Sequence, residues 1–399
     1  MLLSLALIFL CGMVLGGIFD KLKLPRLLGM LLTGIVLGPY VLNLLDSSIL
    51  RISADLRQIA LIIILTRAGL NLDLEDLKKV GRPAVLMCFV PATFEIVGML
   101  LLAPRLLGIS LIEAAVLGTV IAAVSPAVVV PKMLKLMEEG YGTDKSIPQL
   151  ILAGASVDDV FVIVLFTSFT GFAKSGSFAV LELAKIPTAI LFGILGGILC
   201  GLFLGELFRR LHMRDSMKVV IILSISFLLV TLEHSLTGPV GFSGLLAVMS
   251  LGITLQRVRG EVAARLSAKY SKLWVAAELL LFVLVGAAVN LPYAFASGPV
   301  MILLILGVLV FRMAGVFMCL LKTSLSGKER LFCMVAYTPK ATVQAAIGSV
   351  PLAMGLSCGE TVLTAAVVAI LITAPLGAFS IDMMYKKTLK QKNRINIQK

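Results

Sequence analysis

The chain has 399 residues, of which 59% are hydrophobic and 14% charged, and its mean hydropathy is +1.06. A soluble domain carries about 25% charged residues, so this composition excludes an ordinary soluble protein and indicates one embedded in a membrane. The net charge of +13 would suit nucleic-acid binding in a soluble chain. In a membrane protein, excess Lys and Arg gathers in cytoplasmic loops instead, so we expect no nucleic-acid partner.

Apolar stretches of about 20 residues, the length that crosses a bilayer, follow one another along the chain. Met1 starts directly on such a run without a cleavage site, so we treat the run as a first span. We predict a single polytopic transmembrane domain over residues 1–385, with about thirteen helices, and a short basic tail over 386–399. The predicted spans are 2–19, 27–44, 54–71, 83–104, 112–131, 147–172, 178–208, 218–234, 239–256, 273–291, 299–321, 329–354 and 361–385.

The distribution of basic residues predicts the orientation of the chain. One alternate set of loops, with the C-terminal tail, carries 27 of the 35 Lys and Arg residues, and the opposite loops carry five. Because positive charge concentrates on the cytoplasmic side, we expect the N-terminus outside and the C-terminus in the cytoplasm of a bacterial inner (plasma) membrane. The remaining three basic residues lie inside predicted spans: Arg67, Arg312 and Lys340.

No cluster in the sequence is typical of a bound cofactor. The six cysteines are scattered singly without a CxxC pair, and the two histidines, His212 and His234, are far apart. Cysteines in such a pattern act as small apolar side chains. We therefore expect no resident metal or organic cofactor.

Two spans carry a hydroxyl residue followed by proline in mid-membrane: Ser125-Pro126 in span 5 and Thr338-Pro339 in span 12. Proline removes a backbone donor and clashes with the preceding turn, so it breaks or kinks a helix. Thirteen spans can be divided into two repeats of six with one span between them. The second repeat then crosses the membrane in the opposite orientation to the first. Interrupted helices at matching positions of inverted repeats mark transporter binding sites. The predicted fold is thus all-α, with inverted six-helix repeats and two broken helices that cross.

Five charged side chains lie at membrane depth near these breaks. A charge at the bilayer centre costs about 2.5–3.5 kcal/mol, so each is a functional candidate. Asp158 and Asp159 are neighbours in span 6. Neighbours on a helix point about 100° apart, so the two carboxylates should meet different partners. Glu95, Arg312 and Lys340 lie in spans 4, 11 and 12. With three acids and two bases, one carboxylate stays unpaired and takes up either a proton or a cation.

These counts predict an ion-exchange site at the Asp158–Asp159 pair. Hard cations prefer oxygen ligands, and Ser125, Ser156 and Thr338 could supply them together with backbone carbonyls freed at the first break. Sodium would bind there transiently, as cargo. The same arguments hold for lithium and potassium.

Four segments of the sequence are typical of one transporter family. They are LTRAGLNLD (65–73), VSPAVVVPKM (124–133), EEGYGTDKSIPQLILAGASVDDV (138–160) and TPKATVQAAIGS (338–349). In these segments the chain resembles the cation:proton antiporter superfamily, and in detail its NHA branch of sodium/proton antiporters. The second and fourth segments are long and specific, whereas an Asp-Asp pair alone would be a weak signal.

The resemblance implies a homodimer in which each protomer has a dimerisation part and a mobile core. The dimerisation part would contain spans 1–3 and 8–10, and the core would cover about residues 83–172 and 299–385. The resemblance further implies that Asp159 carries the ion and the proton by alternating access. In the NHA branch Arg312 would pair with Glu95, leaving Lys340 near Asp158.

Other functions stay open at this point. A potassium/proton antiporter or an organic-solute carrier would share the scaffold. An intramembrane aspartyl protease needs two aspartates on facing helices, whereas here both aspartates lie on one helix. A channel would conduct the ion without a proton that competes for the same site. The sequence favours a transporter rather than an enzyme, exchanging Na⁺ (or Li⁺) for H⁺ in pH homeostasis.

Overall fold

The structure, a computed structural model, describes residues 1–72, 81–175, 180–236 and 241–391. Within these ranges the chain is helical, and its only β-type pairing is an isolated bridge between Tyr141 and Gln391. The predicted all-α membrane fold is thereby confirmed. Residues 392–399 of the predicted tail lie outside the described ranges.

The helices of the first seven predicted spans are α1 (Leu2–Lys21), α2 (Arg26–Leu37), α3 (Ser47–Arg51), α4 (Ser53–Asn71), α5 (Arg82–Met87), α6 (Val90–Leu107), α7 (Leu111–Ala122), α8 (Pro126–Glu139), α9 (Ile147–Ser175) and α10 (Val180–Arg210). Those of the last six are α11 (Asp215–Ser235), α12 (Gly244–Val258), α13 (Gly260–Ala287), α14 (Leu291–Cys319), α15 (Gly327–Ala336), α16 (Thr342–Ile347), α17 (Val350–Ala353) and α18 (Gly359–Thr388). In the described part, nine helical segments are long and apolar enough to cross a bilayer.

Three predicted span ends differ from the structure for identifiable reasons. Predicted span 2 runs to residue 44, but α2 ends at Leu37, because Gly38 is extended ahead of a proline. Predicted span 10 begins at residue 273, whereas α13 begins at Gly260, because its first turns carry basic residues that lower the hydropathy. Predicted span 11 begins at residue 299, whereas α14 begins at Leu291, capped by the Asn290 side chain.

An extended segment separates two helices in each broken span. Helix α7 ends at Ala122 and α8 begins at Pro126; helix α15 ends at Ala336 and α16 begins at Thr342. Proline occupies the first position of α8, where no backbone N–H is needed. The two Pro-containing segments therefore interrupt their helices, as the sequence predicts.

The leading half of each broken span begins with a capping box, in which a serine and a glutamate three residues later satisfy each other's backbone N–H. The pairs are Ser110 with Glu113 in α7 and Ser326 with Glu329 in α15. Each glutamate also accepts a hydrogen bond from a residue that lies just before another helix. The Ser357 hydroxyl donates to Glu113 (2.6 Å) just before α18, and Lys145 donates to Glu329 (2.8 Å) just before α9.

Helices α6 and α14 pack closely through matching residues. The sequence reads Phe94-Glu95-x-x-Gly98 in α6 and Phe311-Arg312-x-x-Gly315 in α14. A Cβ placed on Gly98 would lie 2.6 Å from the Phe311 ring, and one on Gly315 would lie 3.1 Å from the Phe94 Cβ. Each phenylalanine thus packs on the other helix's glycine. This arrangement brings residues 95 and 312 face to face at the helix crossing.

The helices form two groups by their contacts. In one group, α12 packs against both α10 and α4, and α4 also packs against α13. Helix α2 packs against both α13 and α1 in the same group. In the other, α6 packs on α14 and α7, α7 on α9, and α18 on α15 and α14. The short helix α16 touches α4 and α13 as well as α18, so the second break lies at the boundary between the groups.

Candidate functional site

The two interrupted spans are joined where they cross. The Ser125 N–H, at the start of α8, donates to the Pro339 carbonyl at 2.8 Å. The Gln344 amide nitrogen, in α16, donates to the carbonyls of Val120 (3.1 Å), Ile121 (3.1 Å) and Ala123 (2.9 Å) at the end of α7. Backbone groups left free at a break in a membrane must be satisfied inside the protein, and these contacts satisfy several of them.

Arg312, which is fully buried in α14, contacts four other elements at the crossing. Its Nε donates to the Tyr337 carbonyl at 2.6 Å and its Nη1 to Glu95 Oε2 at 2.9 Å. Nη1 also donates to the Ala122 carbonyl, and Nη2 donates to Asp158 Oδ2 at 2.9 Å. The guanidinium carbon lies 4.8 Å from the centre of the Tyr337 ring. One arginine thus binds both carboxylates and two carbonyls beside the breaks.

Lys340, also fully buried, lies in the second break. Its Nζ donates to Glu95 Oε2 at 2.6 Å and to the Ala122 carbonyl at 3.4 Å, and its backbone N–H donates to the Thr373 hydroxyl at 2.9 Å. Among the described residues no hydrogen bond joins it to Asp158. The expectation drawn from the resemblance had Arg312 on Glu95 and Lys340 near Asp158. In the structure Glu95 receives both bases and Asp158 receives only Arg312.

The two adjacent aspartates of α9 have different surroundings. Asp158 is fully buried, and its Oδ2 accepts from the Val124 N–H at 2.9 Å as well as from Arg312. Asp159 points instead into a cavity of about 390 Å³. No hydrogen bond or ion pair joins the Asp159 side chain to any residue in the described ranges, and its Oδ1 is without a partner.

The cavity beside Asp159 lies between the two helix groups. Its walls come from α4 and α13 on one side and from α8, α9 and α16 on the other. Besides Asp159, its charged residues are Arg67 of α4 and Glu278 of α13. The sequence places Arg67 inside a predicted span but does not indicate that it shares a cavity with Asp159.

The predicted oxygen ligands lie in different settings. Ser125 is buried and its hydroxyl has no partner among the described residues. The Thr338 hydroxyl, just after α15, donates to the Val335 carbonyl in the last turn of that helix at 2.8 Å. The side chain of Ser156 lies outside the described part of the structure. Neither Ser125 nor Thr338 lines the cavity that contains Asp159.

Three polar residues at the crossing were missed from the sequence: Gln344, Tyr337 and Thr373. A buried amide in a membrane span is costly without partners, so Gln344 could have been found by the rule that singled out the charges. Tyr337 and Thr373 act through a backbone carbonyl and a hydroxyl, for which the sequence offers no comparable signal.

The charges at the crossing balance without Asp159. Glu95 and Asp158 are matched by Arg312 and Lys340 within a connected set of hydrogen bonds. Asp159 is the additional carboxylate, and it is the one that borders the cavity. A carboxylate in this position can hold either a proton or a cation.

Comparisons with known proteins agree on one family. The family model described as "Sodium/hydrogen exchanger, transmembrane" matches residues 5–387. Sodium/hydrogen exchanger 9B2 of Homo sapiens is 33% identical over 413 residues, covering 98% of this chain and 75% of the human protein. The Mus musculus protein of the same name is 34% identical over 418 residues, covering 98% of this chain and 74% of the mouse protein.

A solved structure has the same fold. The sodium proton antiporter MjNhaP1 from Methanocaldococcus jannaschii superposes with a TM-score of 0.84, at 20% sequence identity, over 96% of this chain and 97% of that one. At this level of identity the likeness concerns the fold alone. The match to the family along nearly the whole chain, together with the relatives above 30% identity, shows that this integral membrane protein belongs to the sodium/hydrogen exchanger family.

Proposed function

We propose that the protein exchanges Na⁺ (or Li⁺) for H⁺ by alternating access, with Asp159 as the carrier of both ions in turn. The observation that carries this proposal is the contrast within α9. Asp158 is held by Arg312 and the Val124 N–H, whereas Asp159 borders a cavity and has no basic partner in the described ranges. A single free carboxylate is the minimal site for which a proton and a cation compete.

The chemistry of the exchange follows from the cost of an unpaired charge. In a cavity walled largely by apolar side chains, the Asp159 carboxylate is stable when neutralised, either by a bound proton or by a cation. Binding of one ion excludes the other, so the site passes between two neutral states. Asp158 and Ser125 are our proposed additional oxygen ligands.

The division into two helix groups supports an elevator-like motion. The group with α5–α9 and α14–α18 contains Asp159 and both breaks, and we assign it to the mobile core. The group with α1, α2, α4 and α11–α13 would form the dimerisation part of a homodimer. Because the cavity lies between the groups, sliding one against the other would close it on one side and open it on the other.

The basic loops support the orientation with the N-terminus outside. In that orientation Arg67 and Asn71, which line the cavity, lie at the cytoplasmic end of α4, so we propose that the cavity is on the cytoplasmic side. The bacterial membrane expected from the sequence has no support from the relatives named above, which are animal proteins.

The experiment is cation-dependent proton flux in everted vesicles, with Na⁺, Li⁺ and K⁺ tested across pH. We expect flux with Na⁺ or Li⁺ in the unchanged protein and none with Asp159→Asn, because an amide cannot exchange a proton for a cation. Full Na⁺-dependent flux in Asp159→Asn would refute the assignment of the carrier. Flux only with K⁺ would favour the potassium/proton alternative.

Asp158→Asn is the matched comparison, since it makes the same change one residue away. The amide keeps an oxygen for the Val124 N–H but loses the charge that Arg312 binds. We therefore expect strongly impaired flux together with reduced thermal stability, whereas Asp159→Asn should lose flux and retain stability. The opposite pattern would reverse the roles of the two aspartates.

A further inference from the structure

A second large cavity, of about 630 Å³, lies apart from Asp159, which does not line it. Its walls come mainly from α10 and α12, with Leu72 of α4 and Val157 of α9 completing them. Several wall residues are also exposed on the surface of the chain, among them Leu202 at 47% and Val258 at 45%. The cavity is therefore a groove open to the lipid side of the helices.

The groove is apolar except at one end. Thr254 also lines the groove, but its hydroxyl donates to the Ser250 carbonyl one turn earlier at 2.8 Å. That hydroxyl proton is therefore bonded within α12. The only charged lining residue is Arg257, in the last turn of α12. Its side chain is exposed and makes no hydrogen bond or ion pair with the residues that the structure describes.

The length of the groove matches one leaflet of a bilayer. Its lining along α12 runs from Leu246 to Val258, which at the helical rise corresponds to about 18 Å. The hydrocarbon core of a bilayer is about 30 Å thick, or about 15 Å per leaflet. The groove thus extends from the mid-membrane to the surface, and Arg257 lies at the surface end.

We propose that this groove binds one anionic phospholipid, with an acyl chain along α12 and the phosphate at Arg257. An unpaired arginine beside an apolar groove complements a molecule that joins a hydrocarbon chain to a negative charge.

The site has a direct connection to the ion-binding helix. Val157, which lines the groove, immediately precedes Asp158 in α9. A bound acyl chain therefore contacts α9 on one side and α10 and α12 on the other. Lipid occupancy should affect how α9 is held against these helices, whichever cation the protein transports.

The test is native mass spectrometry of the purified full chain with added phosphatidylglycerol or phosphatidylcholine. We expect one phosphatidylglycerol per chain to be retained in preference to phosphatidylcholine. Arg257→Gln should weaken phosphatidylglycerol binding about fivefold, since one basic residue near a membrane surface contributes about 1 kcal/mol. Arg214→Gln, which removes an equal exposed charge before α11, should leave the binding unchanged.

A second pair of variants tests the apolar part of the groove. Ile198→Trp fills it, and we expect the retained lipid to be lost. Leu199→Trp is the control, because Leu199 is 67% exposed and does not line the groove. Three outcomes would each overturn the proposal. The protein could retain both lipids equally, Arg257→Gln and Arg214→Gln could weaken binding equally, or Ile198→Trp could leave lipid binding unaffected. Loss of an oligomer with Ile198→Trp, in a protein that retains no lipid, would assign the groove to a second copy of the chain instead.

Discussion

The two sides of α9 surround their aspartates in different ways. On one side of α9, Asp158 is enclosed by Arg312, Val124 and, through Arg312, Glu95 and the Tyr337 carbonyl. On the other side, Asp159 borders a cavity of about 390 Å³ with no bonded partner in the described ranges. A rotation of about 100° around the helix separates the two environments.

For the ion site that we propose, the comparison indicates how the protein can hold one carboxylate in place while the next one exchanges its ligand. On the Asp158 side one carboxylate oxygen accepts from both the Val124 N–H and Arg312, so the protein itself holds this carboxylate in place. The Asp159 side leaves one carboxylate to be completed by whatever enters from the cavity. We therefore expect substitutions on the Asp158 side to reduce stability, and substitutions on the Asp159 side to change ion binding.

The largest expected loss of stability comes from Arg312→Met. Without the guanidinium, Asp158 loses its ion-pair partner and two carbonyls lose a donor, and breaking a buried pair costs about 3–5 kcal/mol. The measurement is equilibrium unfolding in mixed detergents. Arg105→Met is the matched control, because Arg105 is exposed and bonds only to the Leu101 carbonyl of its own helix. Its effect should stay within about 0.5 kcal/mol, and equal losses would contradict the network.

A double-mutant cycle between Glu95→Ala and Arg312→Ala tests whether the network acts as a unit. The double variant should be little worse than Arg312→Ala alone, with a coupling energy of about 0.5–3 kcal/mol, because the two side chains share a hydrogen bond of 2.9 Å. Glu95→Ala combined with Arg105→Ala is the control cycle. These residues lie in one helix ten positions, or about 15 Å, apart, so their effects should add. Strictly additive losses in both cycles would argue against the pairing.

The smallest effect on stability is expected for Ser125→Ala. The Ser125 hydroxyl is buried without a described partner, and removing such a group is nearly neutral. If it is a cation ligand, the KM for Na⁺ in the flux assay should rise about fivefold, the equivalent of about 1 kcal/mol.

Ser110→Ala is the matched control for this serine. It removes the cap of α7, so it should cost about 1 kcal/mol of stability and leave the KM for Na⁺ unchanged. An unchanged KM in Ser125→Ala would remove this hydroxyl from the proposed ligand set.

Much of the fold could be predicted because hydropathy and proline act locally. The apolar runs marked the helices, and Ser125-Pro126 and Thr338-Pro339 marked both breaks. The charged residues of the crossing could be found because any charge at membrane depth is costly. These signals depend only on the chain around each residue.

The partners within the site could not be predicted, because they depend on how side chains reach between helices. Arg312 has five N–H donors and bonds to Glu95, Asp158 and two carbonyls, whereas a sequence argument gives each base one acid. Lys340 bonds to Glu95 because the second break places its Nζ beside the end of α7. Hydropathy also missed the charged first turns of α13, which lie before its apolar part.

The reciprocal packing of Phe94 on Gly315 and Phe311 on Gly98 has a consequence for the origin of the ion pair between them. Where two segments meet through matching residues, two copies of one sequence would bring like charges together, either two glutamates or two arginines. Glu95 and Arg312 have opposite charges. Two identical half-length chains could not form this contact, so the pair requires two halves that differ at this position.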